Sequence, residues 1–374
     1  MTTHTVELHT RDGERVAFEC PETVDVVTAA ASANLTLPAS CREGGCGTCR
    51  GTCRSGDYQL GSHSTGALTA EAAANGEVLL CRTFPRGPLT IAVPFDRSHI
   101  LAGALALRQA TVTGLARVAD RTMRLVLELL PDEDGGRAAG FEPGQYMELE
   151  IPGSRGVRRA YSIANTANWD GRLEFFIRLH PDGRFSRWLE SEAAIGQIID
   201  VRGPQGTFGV QENGLRPRWM VAGGTGLAPL LSMLRRMAEW QEPQPVRLFF
   251  GVNTPSELFA LDDLSRLEGE MPQLQVVTCV RQPGDGQPHD GQPHDGQPHD
   301  GQPHDGQPGT RWSGFVGTPA DALDRDLATV GTIPDLYLCG PSAMIDAVEQ
   351  VARRNGVSAD RIVTERFPTG GPIS

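Results

Sequence analysis

Lysine is absent: all 34 basic residues of the 374-residue chain are arginine. GC-rich codon usage accounts for the bias, yet it has one functional consequence. A phosphate-binding loop built on its essential lysine cannot exist here, which excludes a nucleoside triphosphatase of that kind. Positive charge is also scarce, with 46 acidic residues giving a formal net charge of -12. A general nucleic-acid binder needs a basic face to displace counterions, so nucleic acid is not an expected partner. Long apolar runs are missing too. The longest, MVAGGTGLAPLLSML, is too short and too rich in glycine to span a bilayer, and the N-terminal MTTHTVELHTRDGERV has no apolar core of signal-peptide length. The expectation is a cytoplasmic protein with no membrane partner.

What is present is ordinary globular composition, 39% hydrophobic and 21% charged, over a length that suits two or three domains. Eight cysteines in a reducing compartment are poor disulfide candidates, so a clustered set reads as metal-binding or redox-active. Three of them crowd into CREGGCGTC, as Cys41, Cys46 and Cys49, and Cys81 follows in the strand-like EVLLCRTF. The spacing C-x4-C-x2-C with a distant fourth cysteine is that of a plant-type 2Fe-2S cluster, four thiolates on two irons. Zinc is the alternative, but it normally uses two separated C-x2-C pairs and only one exists here. Cys20 and Cys53 read as packing residues, with Cys53 the nearer to the loop.

The first domain, residues 1–97, opens with alternating strands turning at Asp12-Gly13, followed by an Ala-rich helix ending near Asn34. The linker FDRSHILAGA leads to residues 105–212, where ATVTGLARVAD, TMRLVLELL, GQYMELEIP, GVRRAYSIAN, RLEFFIRL and IIDVRG read as strands of a barrel or sandwich. From 213 to 374 strands alternate with helices, which implies a parallel sheet wound on both faces. There, RWMVAGGTGLAPLLSML reads as strand, glycine turn and helix, with Gly223, Gly224, Thr225 and Gly226 placed to let a pyrophosphate approach the backbone. The full G-x-G-x-x-G fingerprint is not met, since Pro229 stands at its last glycine. LFFGVNTPSELF and LYLCGPSAMI supply two further strand ends, the edge at which open α/β sheets bind ligands. No cation follows GVN to meet a 2'-phosphate, so NADH is expected rather than NADPH.

Residues 284–309, built on four GQPHD repeats, are expected to form a disordered loop dispensable to the chemistry. Its histidines, His289, His294, His299 and His304, could bind metal only loosely.

PASCREGGCGTCRG with LLCRT resembles the ferredoxin domain of multidomain ferredoxin reductases, which implies a β-grasp fold. FEPGQYMEL and RAYSIAN resemble the flavin-binding barrel of the ferredoxin-NADP reductase superfamily. That resemblance implies that Arg159 meets the flavin phosphates, that Ala160 and Tyr161 pack beside the ring system, and that the Ser162 hydroxyl lies near its reactive edge. Arg has a planar fork for phosphate and Tyr an apolar face with a polar tip, which suits both roles. In RLHPDGRFSRWL, Gly183 and Ser186 fall at a helix start that can receive a pyrophosphate, although Asp182 stands where the family has a glycine. The resemblance also brings Cys339 to the nicotinamide, with Gly340 and Pro341 in the turn beneath it, and makes Glu365 and Phe367 of RIVTERF candidates to approach the flavin.

NADH gives two electrons at once and a 2Fe-2S cluster takes one, so a flavin such as FAD is the expected intermediary. The whole chain apart from the repeat is similar to the reductase components of bacterial aromatic-ring dioxygenases, most of all the benzoate, toluate and anthranilate types. That similarity implies a terminal oxygenase partner with a Rieske centre, which a cluster near about -400 mV can reduce. Reductases of di-iron phenol or hydrocarbon monooxygenases share the domain order. An iron-sulfur redox sensor with decayed flavin and nucleotide sites is the third reading, and Asp182 is the feature in its favour.

Overall fold

A computed structural model describes residues 2–154, 156–211, 214–282 and 314–367. The GQPHD repeat and its four histidines lie outside the described residues.

Three large sheets follow one another along the chain, with two small two-stranded ones beside the first. In the first, Thr3–His9 and Arg15–Pro21 form an antiparallel hairpin whose alternating side chains bury Val6, Leu8, Val16 and Phe18 on one face. Leu89–Ala92 runs parallel to the first strand and antiparallel to Arg50–Ser55, giving a mixed five-stranded sheet. The helix Val26–Ser32 crosses its buried face, started by the Asp25 carboxylate accepting from Thr28 N at 3.0 Å. This is the expected β-grasp.

Two local expectations differ. Cys81 sits in a short 3-10 turn, Leu80–Arg82, rather than within a strand. The linker is not loose: Phe95 and Ile100 are buried in the first core, and Leu101–Ala102 pairs with Leu35–Thr36. Burial of those two apolar side chains folds the linker back onto the cluster domain.

All six predicted strands of the middle segment form, as one antiparallel sheet of Leu107–Ala119, Thr122–Leu129, Tyr146–Glu150, Arg158–Ser162, Arg172–Arg178 and Ile198–Gln205. Its concave side holds a separate core around Leu125, Leu149, Phe175 and Val201, closed at one end by the helix Arg184–Ser191 through Phe185 and Trp188.

The third sheet is wholly parallel, with Arg218–Gly223 central between Val246–Val252 and Asp335–Pro341. The chain winds outward on one side of the central strand, through Val246–Val252 and Leu274–Val280. It then returns to the other side with Asp335–Pro341 and Ile362–Phe367. The strand order reverses between Arg218–Gly223 and Asp335–Pro341, and the carboxyl ends at such a reversal are where open α/β sheets bind their ligands. Among the described residues no helix is long and apolar enough to cross a membrane.

Candidate functional site

Four cysteines gather at the loop after the first helix. Cys46, Cys49 and Cys81 are buried and Cys41 is partly exposed. They stand as two pairs: Cys49 Sγ lies 3.3 Å from Cys81 Sγ, and the Cys46 thiol donates to Cys41. The backbone amides of Gly45 and Glu43 also point at Cys41 Sγ, at 3.3 and 3.5 Å. Cys46 and these amides together pull the Cys41 thiol well below its ordinary value against the opposing effect of burial. Gly44 is essential to the wrap. Its φ is +77°, and a side chain there would press against Arg82 and His63 at 2.9 Å. Among the described residues no three His, Cys, Asp or Glu side chains converge to hold a single metal ion. Two thiol pairs with amides aimed at sulfur suit the donor set of a two-iron cluster. Cys53 lies apart from them, its sulfur turned to the carbonyl oxygen of Ser55 at 3.4 Å, and Cys20 is buried beneath the hairpin.

A second site forms where the middle sheet meets the parallel sheet. Ser162 ends the strand Arg158–Ser162, while Cys339 and Glu365 are direct partners in adjacent parallel strands. The three converge: the Ser162 hydroxyl donates to Glu365 Oε2 at 3.2 Å, and Cys339 Sγ lies 3.8 Å from the same oxygen. Among the described residues no cation pairs with this carboxyl. Burial pushes it up from 4.5 to about 7, and the two donors only partly offset that. The Cys339 thiol is pushed up by burial and by Glu365 beside it, so it stays protonated. Phe367 lies two residues beyond Glu365 on the same strand and packs against the core that contains Cys339.

Tyr161 packs on Phe185, ring centroids 4.9 Å apart, and burial raises its phenol. Arg159 is exposed, its guanidinium bonded to the Arg158 carbonyl and to no carboxylate among the described residues, so it can accept a phosphate. Ala160 lies between them, paired with Glu148 in the neighbouring strand.

At the predicted pyrophosphate helix the Gly183 amide donates to the His180 carbonyl, and the buried Ser186 oxygen accepts from His180 N at 2.9 Å. Both therefore close the His180–Ser186 turn, and it is the next amides of Arg184–Ser191 that a helix start leaves unpaired.

The glycine turn also meets packing demands that the sequence reading did not include. A side chain at Gly226 would collide with the Cys339 carbonyl oxygen, one at Gly223 would meet Met344 Sδ at 2.6 Å, and one at Gly340 would meet Gly223 N at 3.0 Å. These three glycines let two strand ends and a helix pack backbone to backbone. Gly224, with φ +53°, faces the Arg178 guanidinium instead of backbone, and Thr225 follows it in the same 3-10 turn. Pro341 closes its strand and caps the helix Ser342–Arg354.

Arg178 was not singled out from the sequence. It ends the strand Arg172–Arg178, its Nη1 lies 3.5 Å from where a Cβ on Gly224 would stand, and it has no carboxylate partner among the described residues. His180 beside it is held below its ordinary value by burial, then by Arg178 and Arg121. No local pattern marked it, since the same strand also carries Arg172 and Glu174.

The chain matches three family models in succession: a 2Fe-2S iron-sulfur cluster binding domain over residues 9–86, an oxidoreductase FAD-binding domain over 109–209 and an oxidoreductase NAD-binding domain over 220–296. It is 42% identical to methane monooxygenase component C of Methylosinus trichosporium over 72% of this chain and 78% of that protein. It is 32% identical to the anthranilate 1,2-dioxygenase electron transfer component of Acinetobacter baylyi over 97% of both. Among solved structures, an Amycolatopsis cytochrome P450 reductase superposes with a TM-score of 0.71 at 28% identity, over 98% of this chain and 100% of that one. The ferredoxin reductase in carbazole 1,9a-dioxygenase superposes with a TM-score of 0.64 at 25% identity, over 98% and 99%.

Proposed function

Because the chain belongs to the reductase, or electron-transfer, components of bacterial oxygenases, including those of aromatic-ring dioxygenases, we propose a specific job for each site residue. The protein is an NADH-dependent iron-sulfur flavoprotein that passes electrons from NADH through FAD and a 2Fe-2S cluster to an oxygenase component. When bound, the flavin accepts the nicotinamide's two electrons together and releases them singly to the cluster.

The convergence of Ser162, Cys339 and Glu365 across two sheets carries the reading. It joins a flavin-barrel serine to the strand ends of a nucleotide-binding sheet, in a place dry enough to keep a carboxyl protonated near neutrality. In this reading Cys339 and Ser162 border the two reacting rings, and Glu365 accepts from both through Oε2 while carrying its own proton on Oε1. Phe367 packs beside them. Tyr161 and Ala160 support the flavin ring, and Arg159 with the amides after Gly183 holds its phosphates. Ser186 keeps that turn closed. Gly223, Gly226, Gly340 and Pro341 shape the strand ends, while Gly224, Thr225 and Arg178 face the nicotinamide nucleotide's phosphates. Cys41, Cys46, Cys49 and Cys81 hold the cluster. The work divides among units near residues 1–97, 105–212 and 213–374.

NADH over NADPH is supported by Glu257, whose carboxylate accepts from the Asn253 amide at 3.0 Å just beyond the strand Val246–Val252. A carboxylate there accepts a ribose hydroxyl and repels a 2'-phosphate. Arg281 begins the segment after the neighbouring strand, its backbone amide donating to the Val252 carbonyl at 3.2 Å. Comparing kcat/KM for the two nucleotides tests this, and a preference for NADPH would overturn it.

For the electron acceptor, the near-complete coverage of aromatic-ring dioxygenase components supports a Rieske-type dioxygenase acting on a benzoate-like acid. The higher identity to the methane monooxygenase component supports a second reading, a di-iron monooxygenase. Reconstitution with NADH and each class of purified oxygenase distinguishes them. Coupled product formation with the dioxygenase alone is expected, and coupling with the monooxygenase alone would replace the first reading by the second.

A further inference from the structure

Two buried polar side chains tie the middle sheet to the cysteine loop. The Tyr146 hydroxyl donates to Gln205 Oε1 at 3.0 Å, and Gln205 Nε2 donates to the Leu37 carbonyl oxygen at 2.8 Å. Tyr146 is 2% exposed and Gln205 4%. Tyr146 stands opposite Ser162 in one neighbouring strand and opposite Gln205 in the other. Leu37 lies four residues before Cys41. A short chain of bonds therefore leads from the strand next to Ser162 into the segment that enters the cysteine loop.

The ring of Tyr146 has no slack: a Cβ on Gly206 would stand 3.2 Å from its Cδ1. A buried amide is costly unless both ends are paired, and an apolar side chain would fill the same space at lower risk. Gln205 has one partner from each side of the boundary.

We propose that Gln205 is a positioning residue that clamps the cysteine loop to the flavin barrel and so sets the gap across which single electrons pass from flavin to cluster. In that step one electron leaves the flavin and one arrives at the cluster, with no bond made or broken. The inference rests on the assignment of flavin to Ser162 and of the cluster to the four cysteines.

The test uses the full chain loaded with both cofactors. In Gln205→Leu, flavin reduction by NADH should keep its wild-type rate. Cluster reduction should slow roughly tenfold, since Leu37 O loses its buried donor and the docked arrangement loses its clamp. Microwave power saturation of the one-electron flavin EPR signal, which a nearby reduced cluster relaxes, should become easier. Tyr146→Phe keeps the ring and the Gln205–Leu37 bond, and should show a smaller change in the same direction. Wild-type cluster reduction and unchanged saturation in Gln205→Leu would overturn the proposal. So would a Gln205→Leu protein that merely loses a cofactor, if Tyr146→Phe matches wild type throughout. Failure of NADH to reduce the cluster in the wild-type protein would instead sink the functional reading beneath it.

Discussion

Replacing Glu365 by Gln should remove a pH-dependent weakness in the parallel-sheet domain. The Glu365 carboxyl is buried with two weak donors and, among the described residues, no cation, and its value rises from 4.5 to about 7. As pH climbs, the unfolded chain releases this proton first. Between about 4.5 and 7 the native state therefore binds more protons than the unfolded one, and stability falls until both have titrated. At about 1.36 kcal/mol for each pH unit separating the two values, the loss amounts to about 3 kcal/mol above pH 7. Gln has the same shape, accepts from Ser162 and Cys339 and cannot ionise. The check is urea unfolding of wild type and Glu365→Gln at pH 5 and pH 8.5, followed through the fluorescence of Trp219, which is buried in that sheet. Relative to the variant, wild type should lose about 2.5 kcal/mol between the two conditions, because the unfolded carboxyl is already mostly titrated at pH 5. Parallel behaviour of the two proteins would show that Glu365 is not held protonated, and the account of its surroundings as a dry site would fail with it.

Three further changes probe separate parts of the molecule. Cys339→Ser, which swaps a sulfur lying 3.8 Å from Glu365 Oε2, should slow single-turnover flavin reduction by roughly 10- to 100-fold, the cost of misplacing a reacting ring, while leaving flavin and cluster content intact. Cys81→Ser should abolish the normal cluster spectrum yet preserve NADH-to-dye activity, because the cysteine loop and the flavin strands have separate cores. Arg235→Ala should lower stability by about 3 kcal/mol by denaturant titration. Its guanidinium joins Glu174 Oε2 at 2.8 Å, the Ala164 carbonyl at 2.9 Å and Asp263 at 2.9 Å, bridging the middle and parallel sheets. Glu174, 2% exposed, would keep only Arg124.

The parts legible in the sequence are those set by short-range rules. Cysteine spacing predicts a cluster because the loop must wrap it locally, and the six strands of the middle sheet announce themselves by alternation and flanking turns. The glycine turn was found, but the packing demand on its glycines was not: Gly226 is excluded from bearing a side chain by Cys339, more than a hundred residues away. The folded-back linker escaped for a similar reason, since Phe95 and Ile100 read as connector residues until the core that accepts them is assembled. Arg178, Tyr146 and Gln205 owe their importance to which strands become neighbours, which no local pattern encodes. The pairing of Cys339 with Glu365 and the reach of Ser162 to both likewise come from strand order, and the sequence supplied these residues only through resemblance.

The central claim, that electrons run from NADH through flavin to the four-cysteine cluster, is tested most directly by low-temperature EPR after anaerobic addition of NADH to flavin-loaded and flavin-depleted protein. A reduced 2Fe-2S signal should appear with NADH only when flavin is present, and with dithionite in both samples. A cluster signal from dithionite but none from NADH in the flavin-loaded protein would contradict the account.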